Sequence, residues 1–216
     1  MSQPNAAAPA ENRTVKDVLA ITIITLVAGL ILSLVHEITL EPIHIQETMA
    51  KDAACRAVFA EADSFEVCVP EADPDLEAFL TESGFPRQDV DEVSFARAAD
   101  GEILGHVLTV TTKEGYGGDI QFVMGVQLDG TLNGISILSI SETAGLGMRA
   151  DTDAFKSQFA GRNVAAFRYT KSGASADDEI DALSGATVTT NAMTNGVNAG
   201  LAAADYLRSH NPGGEE

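Results

Sequence analysis

The sequence predicts an α+β protein, with one N-terminal transmembrane helix followed by a domain in which helices pack against an antiparallel sheet. Three patterns lead to this prediction: an uncharged apolar run near the N-terminus, β-rich runs separated by Asp-Gly pairs, and a long helical pattern before the C-terminus. A chain of 216 residues is long enough for one domain with a hydrophobic core and an appendage.

Composition excludes several classes of function. The formal net charge is -19, with 32 acidic and 13 basic residues, so the long-range field repels nucleic acid and anionic lipid surfaces. We therefore expect no nucleic-acid partner. Cys55 and Cys68 form no CxxC pair, and the chain contains no GxGxxG or GxxxxGK motif, so neither a zinc site nor a nucleotide-binding loop is predicted.

The apolar run at residues 18–35 predicts a transmembrane helix over residues 16–37. As a helix this run is about 27 Å long, close to the hydrocarbon thickness of roughly 30 Å. A buried core helix is usually shorter, and a secretory signal peptide would end at an A-x-A-like site, which the sequence after the run does not offer. Residues 1–15 are rich in Ala, Pro and Asn and predict a disordered cytoplasmic tail.

The orientation of this helix follows from the positive charges near its ends. Arg13 and Lys16 precede the apolar run, whereas the first lysine after it is Lys51, which places the N-terminus in the cytoplasm and the rest of the chain outside. On the outer side Cys55 and Cys68 either form a disulfide or remain reduced, and the sequence leaves both possibilities open.

Residues 38–90 are expected to form a juxtamembrane helix and a connecting segment. Helical spacing continues over residues 41–60, and Pro70, Pro74 and Pro86 then predict mostly loop around one short helix near residues 76–81.

The domain proper is expected over residues 91–209. Four runs predict two hairpins, whose Asp-Gly pairs supply the positive φ of a tight turn. The runs are residues 93–98, 103–111, 120–128 and 135–141.

Two glycine-rich loops follow strands of the predicted sheet and are candidate cofactor loops. They are residues 114–119 (EGYGGD) and 142–148 (ETAGLGM). Glycine lets a flat ring or a phosphate approach the backbone closely, although either loop alone is also consistent with an ordinary turn. Further on, residues 152–159 predict a short helix, residues 165–169 a strand, residues 188–208 a long helix and residues 210–216 a disordered tail.

The stretch at residues 181–190 (DALSGATVTT) places three hydroxyls, those of Thr187, Thr189 and Thr190, at the start of the long helix. A helix N-terminus presents unpaired N–H groups and the positive end of the helix dipole, so it favours an anion such as a phosphate. An ordinary N-cap made by Ser184 or Thr187 is the alternative.

These motifs together resemble a known family. Ser184-Gly185-Ala186-Thr187, with Asp181 three residues earlier, looks like the motif at which a flavin transferase esterifies FMN to the final threonine. With the ETAGLG loop, the GYGG loop and one N-terminal membrane helix, the chain resembles the G subunit of the Rnf electron-transport complex, and the C subunit of the sodium-translocating NADH:quinone reductase is a similar, longer relative. The resemblance extends to about Arg208. The relatives usually have proline where this chain has Ala144.

The resemblance implies that residues 91–209 are an FMN-binding domain in which Thr187 Oγ carries FMN through a phosphoester. The other implied cofactor-binding residues are Ser184, Gly185, Ala186, Val188, Thr189, Thr190, Asp181, Glu142, Thr143, Gly145, Leu146, Gly147, Met148, Tyr116 and Gly117. Tyr116, Leu146 and Met148 are candidates for contact with the flavin ring, because large apolar side chains beside glycines can form a slot for a flat ring. Asp181 is expected to take part in recognition by the transferase.

The implied function is electron relay in a membrane complex that couples ferredoxin:NAD oxidoreduction to translocation of Na⁺ or H⁺. The implied partners are the membrane, the flavin transferase and the other subunits, of the Rnf A, B, C, D and E types. No catalytic residue or metal is expected, and each histidine is interpreted as structural or exposed: His36, His44, His106 and His210. The alternatives are a quinone-reductase C-type subunit, another extracytoplasmic FMN protein, or an anchored binding module without flavin.

Overall fold

The computed structural model describes residues 11–69 and 73–210, and the predicted tail segments 1–10 and 211–216 lie outside this range. The chain divides into two units, with the boundary after Met49. The predicted architecture is confirmed: a long apolar helix near the N-terminus precedes an antiparallel sheet with helices.

The described residues of the first unit, 11–49, all belong to one long helix, α1, which spans Glu11–Val58 and continues into the second unit. The predicted membrane helix and juxtamembrane helix are thus a single helix, and it begins inside the predicted tail. Pro42 removes one backbone hydrogen bond without ending the helix. From Val15 onwards, α1 is long and apolar enough to cross a membrane, and its large apolar side chains are exposed over the whole predicted span.

A five-stranded antiparallel sheet forms the centre of the second unit, with strands in the order of the chain. Its strands are β1 (Ser64–Val69), β2 (Gln88–Arg97), β3 (Ile103–Thr112), β4 (Ile120–Gln127) and β5 (Leu132–Ile140). The two predicted hairpins are present, but the prediction of mostly loop before residue 91 was wrong for β1 and the start of β2. The edge strand β1 is short and exposes Glu66 and Val67, so its sequence lacks a clear alternation of buried and exposed residues.

The remaining elements surround this sheet. They are α2 (Pro74–Glu82), a 3₁₀ helix (Gly147–Asp151), α3 (Asp153–Lys156), β6 (Arg168–Thr170), β7 (Glu179–Asp181) and α4 (Thr187–His210). The helix expected over residues 152–159 is shorter than expected and follows the 3₁₀ turn. The strand expected at residues 165–169 begins later and pairs in parallel with β7, for which no strand was expected.

The main hydrophobic core lies between α4 and one face of the sheet. Leu108 belongs to this core, whereas its neighbour Val107 belongs to a smaller cluster with Val58 and Phe59 of α1. Because successive strand residues point to opposite faces, the end of α1 covers the face opposite α4. Gly200 of α4 has no room for a Cβ beside the buried Met124 side chain, which shows how closely α4 approaches the sheet.

The two cysteines are free thiols on opposite faces of the sheet. Cys55 belongs to the smaller cluster at the end of α1, and Cys68 packs against the main core. Cys68 Sγ donates to the carbonyl oxygen of Val93 at 3.4 Å, and burial raises the pKa of its thiol. The structure therefore contains no disulfide between these residues.

Candidate functional site

A cavity of about 600 Å³ lies where the two glycine-rich loops meet the start of α4. The residues that line it come from all three segments. They are Tyr116, Glu142, Thr143, Leu146, Gly147, Gly185, Ala186, Thr187, Val188 and Thr189. Each belongs to the set proposed from the sequence, so the fold brings together residues that are up to 73 positions apart in the chain, from 116 to 189.

Strand pairing explains why the two loops are neighbours. Ile120, the first residue of β4, pairs with Thr112 at the end of β3 and with Ile140 at the end of β5. The loop between β3 and β4 and the loop after β5 therefore leave the sheet at the same end. The register of three strands thus fixes the separation of the two loops.

The loops approach each other so closely that glycine is required at their contact points. A Cβ on Gly117 would collide with the carbonyl oxygen of Ser141. A Cβ on Gly147 would lie 2.5 Å from Glu142 Oε2 and 2.7 Å from Thr189 Oγ1. Gly185, in the turn before α4, has a φ of 79°, which is strained for other residues.

Glu142 joins the two loops through hydrogen bonds. Its Oε1 accepts the backbone N–H of Tyr116 at 2.7 Å and that of Gly117 at 3.3 Å. The residue is 8% exposed, so these bonds are shielded from water. The carboxylate therefore holds the first loop as one wall of the cavity.

The start of α4 forms the opposite wall and can accommodate an anion. The first helical hydrogen bond runs from Thr190 N to Ala186 O at 3.0 Å, so the N–H groups of Thr187, Val188 and Thr189 have no partner within the helix. These groups and the helix dipole favour negative charge at this position. Thr187 is the first residue of α4 and lines the cavity.

Thr190 has a structural role, in contrast to its expected position beside a phosphate. Its side chain is fully buried and does not line the cavity. Its Oγ1 accepts the N–H of Leu183 at 3.0 Å and donates to the carbonyl oxygen of Ala186 at 2.9 Å. Thr190 thereby fixes the turn that precedes α4.

Five other predicted residues do not line the cavity: Asp181, Ser184, Gly117, Gly145 and Met148. Asp181 and Ser184 are exposed to solvent before α4. Asp181 Oδ1 accepts the N–H of Ala174 at 2.7 Å, which gives this carboxylate a fixed position.

Three residues that support the site did not stand out in the sequence. Glu114 Oε2 accepts the side-chain amide of Asn195 at 2.7 Å and that of Asn191 at 3.4 Å, which ties the first loop to α4. Asn191 and Asn195 are four residues apart on one face of a helix with many buried residues. The spacing of these two asparagines in a largely apolar helix is the sequence pattern that could have indicated a polar contact here.

The rim of the cavity is apolar and open to solvent. Tyr116, Leu146 and Val188 are 75%, 43% and 50% exposed, so a flat apolar ligand could cover their side chains. The volume lies within the range of small-molecule sites. An anion site at the start of a helix, close glycine contacts and an apolar rim together fit a cofactor that has a phosphate and a flat ring.

The described residues also contain no candidate metal site. No group of three or more His, Cys, Asp or Glu residues within 11–69 and 73–210 could hold a metal ion. His106 is buried on β3, where burial and the charge of Arg208 lower its pKa, and the other three histidines are exposed.

Residues 115–202 match the FMN-binding domain family, a segment that includes the entire cavity lining. The fold, the site and this match thus define the class of the protein: an FMN-binding domain that follows an N-terminal apolar helix in the chain.

Two relatives cover most of the chain. It is 30% identical over 185 residues to the G subunit of the Na(+)-translocating ferredoxin:NAD(+) oxidoreductase complex of Acetobacterium woodii, with 83% of this chain and 86% of that protein covered. It is 30% identical over 177 residues to the G subunit of the proton-translocating ferredoxin:NAD(+) oxidoreductase complex of Clostridium ljungdahlii, with 82% and 84% covered. The chain belongs to the G-subunit family of ion-translocating oxidoreductase complexes, as its resemblance predicted.

A solved structure is also similar to this chain. The crystal structure of Shewanella oneidensis NqrC matches with a TM-score of 0.47 and 20% sequence identity, over 55% of this chain and 61% of that one.

Proposed function

We propose that this protein is a membrane-anchored flavoprotein subunit that relays electrons through FMN in an Rnf-type complex, which couples ferredoxin:NAD oxidoreduction to translocation of Na⁺ or H⁺. The observation that carries the proposal is the cavity formed by the two glycine-rich loops and the start of α4. It lies within the segment that matches the FMN-binding domain family, in a chain of the G-subunit family.

Thr187 Oγ is the proposed attachment point for the FMN phosphate. Thr187 lines the cavity at the first position of α4, where the N–H groups of the first helical turn can donate hydrogen bonds to the negatively charged oxygens of a phosphodiester. A covalent link also has a physical advantage. A flavin outside the cell would be diluted whenever it dissociated, whereas a tethered flavin has a high effective concentration at its site.

The chain itself binds, orients and shields the cofactor. When bound, FMN supplies a centre that can be reduced and reoxidised. Tyr116, Leu146 and Val188 offer apolar contacts for the ring, and Glu142 holds the wall that carries Tyr116. This relay requires no acid, base or nucleophile from the protein.

Asp181 and Ser184 are proposed to serve recognition by the flavin transferase rather than contact with bound FMN. Both precede Thr187 in the motif, are exposed and do not line the cavity. Asp181→Asn is therefore expected to lower flavin occupancy, measured by intact mass, without a change in the stability of the fold. Unchanged occupancy would exclude this role.

Thr187→Ala tests the attachment point. We expect complete loss of covalent flavin, because the hydroxyl supplies the bonded oxygen, with a change in unfolding free energy within about 0.5 kcal/mol at this partly exposed position. The intact mass of the unsubstituted protein from its own host should show an increment of FMN minus one water. The Thr187→Ala protein should lack this increment. Persistent in-gel fluorescence of the Thr187→Ala protein would refute the assignment.

We propose further that the subunit lies in the cell membrane with its N-terminus in the cytoplasm and its FMN-binding domain outside, in contact with the other complex subunits. Arg13 and Lys16 before the apolar run support this orientation. A cysteine in place of the exposed Asp153 should react with an impermeant thiol reagent in intact spheroplasts, and the unsubstituted chain is the control. Labelling only after lysis would place the FMN-binding domain in the cytoplasm and contradict the proposed orientation.

A further inference from the structure

Among the described residues that line the cavity, only Glu142 carries a formal charge. A carboxylate that is 8% exposed is strongly desolvated, and such groups are retained only where other groups compensate. Here the compensation comes from the N–H groups of Tyr116 and Gly117, both on Oε1. The buried negative charge therefore has a fixed position.

The second carboxylate oxygen faces a different part of the site. Glu142 Oε2 lies beside Gly147, near the Thr189 hydroxyl, as the contacts of a Cβ at Gly147 show. This oxygen accepts no hydrogen bond from the residues that the structure describes. Glu142 thus uses one oxygen to hold the loop and leaves the other at the cavity.

We infer that the charge of Glu142 lowers the reduction potential of the flavin, an inference that rests on the proposed function. Reduction adds negative charge to the ring, and a fixed carboxylate raises the free energy of that added charge. Because Glu142 is 8% exposed, its charge is screened less than a charge at the surface. The positive end of α4 lies at Thr187, where it offsets the charge of the phosphate instead.

Glu142→Gln in the full-length protein with FMN attached tests this inference. Gln keeps an acceptor oxygen for the Tyr116 and Gly117 amides, so the loop should stay in place while the charge is lost. Spectroelectrochemical titration of the flavin absorbance should show a more positive midpoint potential. We expect the ratio of reduced to oxidised flavin at a given potential to rise about tenfold, which is about 30 mV for a two-electron couple.

Asp119→Asn is the matched control. Asp119 lies at the end of the same loop and carries the same charge, but its side chain is exposed and does not line the cavity. Water and salt screen this charge, so its removal should change the ratio less than twofold. A second variant, Glu142→Asp, retains the charge on a shorter side chain and should keep a potential close to that of the unsubstituted protein.

The outcomes separate this inference from the proposed function. Absence of flavin from the unsubstituted protein would refute the proposed function. If that protein carries flavin, an unchanged potential in Glu142→Gln, or a shift as large in Asp119→Asn, would overturn the role of Glu142. So would an equal shift in Glu142→Asp, because loop geometry would then set the potential. A folded Glu142→Gln protein without flavin would also overturn it, since Glu142 would then act in flavin acquisition.

Discussion

At the scale of single residues, two threonines of one motif have different roles although they are one helical turn apart. Thr187 lines the cavity, whereas Thr190 is buried and bonded to Leu183 and Ala186. Residues three apart lie on nearly the same side of a helix, so depth and partners distinguish them: Thr190 is buried with two hydrogen-bond partners, and Thr187 lies at the cavity. Sequence alone offers both hydroxyls at the same helix start.

This difference predicts that replacement of threonine by valine has opposite effects on stability and on flavin attachment at the two positions. Thr190→Val should lower the unfolding free energy by about 1–3 kcal/mol, because the buried N–H of Leu183 loses its acceptor, and it should leave covalent flavin in place. Thr187→Val should remove the flavin with little change in stability. Denaturant unfolding and in-gel fluorescence of both variants provide the measurement. Loss of flavin in a stable Thr190→Val protein would contradict these assignments.

At the scale of structural elements, the site depends on the contact between two loops rather than on either loop alone. The contact consists of the Glu142 hydrogen bonds to the first loop and the close approach of Gly117 to Ser141. The first loop contains no helix or strand, and the second enters a 3₁₀ helix only at its end, at Gly147. The ends of β3 and β5 supply the fixed points.

Gly117→Ala should disrupt this contact, because the new Cβ would meet a backbone oxygen that has little freedom to move. We expect a loss of about 1–3 kcal/mol in unfolding free energy together with lower flavin occupancy. Tyr116→Ala is the comparison: its side chain is 75% exposed, so stability should stay within about 0.5 kcal/mol. Thermal melts and intact mass decide the matter, and equal stability of the two variants would disprove the proposed constraint at Gly117.

Sequence patterns predicted the parts of the fold that are encoded locally. The apolar run predicted α1, and the Asp-Gly pairs predicted the hairpins, because each signal depends on nearby residues. The strand β1 was missed because its pairing with β2 depends on contacts distant in sequence. The bonds from Glu114 to Asn191 and Asn195 were missed for the same reason, since 77 and 81 residues separate the partners.

At the scale of the whole molecule, the acidic composition opposes the compact state. The net charge is -19, and 13 basic residues are too few to pair with 32 acidic ones. The ion pairs present are mostly at the surface, as between Lys113 and Asp89, where each contributes little. Mutual repulsion of carboxylates is therefore the larger electrostatic effect.

Salt should consequently stabilise this protein. An increase from about 10 mM to about 150 mM NaCl shortens the screening length to about 8 Å and weakens the repulsion more than it weakens the few ion pairs. We expect a higher Tm for the full chain in a non-ionic detergent, measured by the loss of helical circular dichroism. A lower Tm at the higher salt concentration would show that the ion pairs dominate.

The pairing of Ile120 with both Thr112 and Ile140 determines where the chain can change in length. An insertion between β3 and β4 alters a wall of the cavity directly, and a one-residue shift in the pairing of β4 moves that wall relative to the loop after β5. The turn between β4 and β5, at residues 128–131, lies at the other end of these strands. The turn between β2 and β3 lies at that same end, so length variation within this family should concentrate in these two turns and not in the loops that form the cavity.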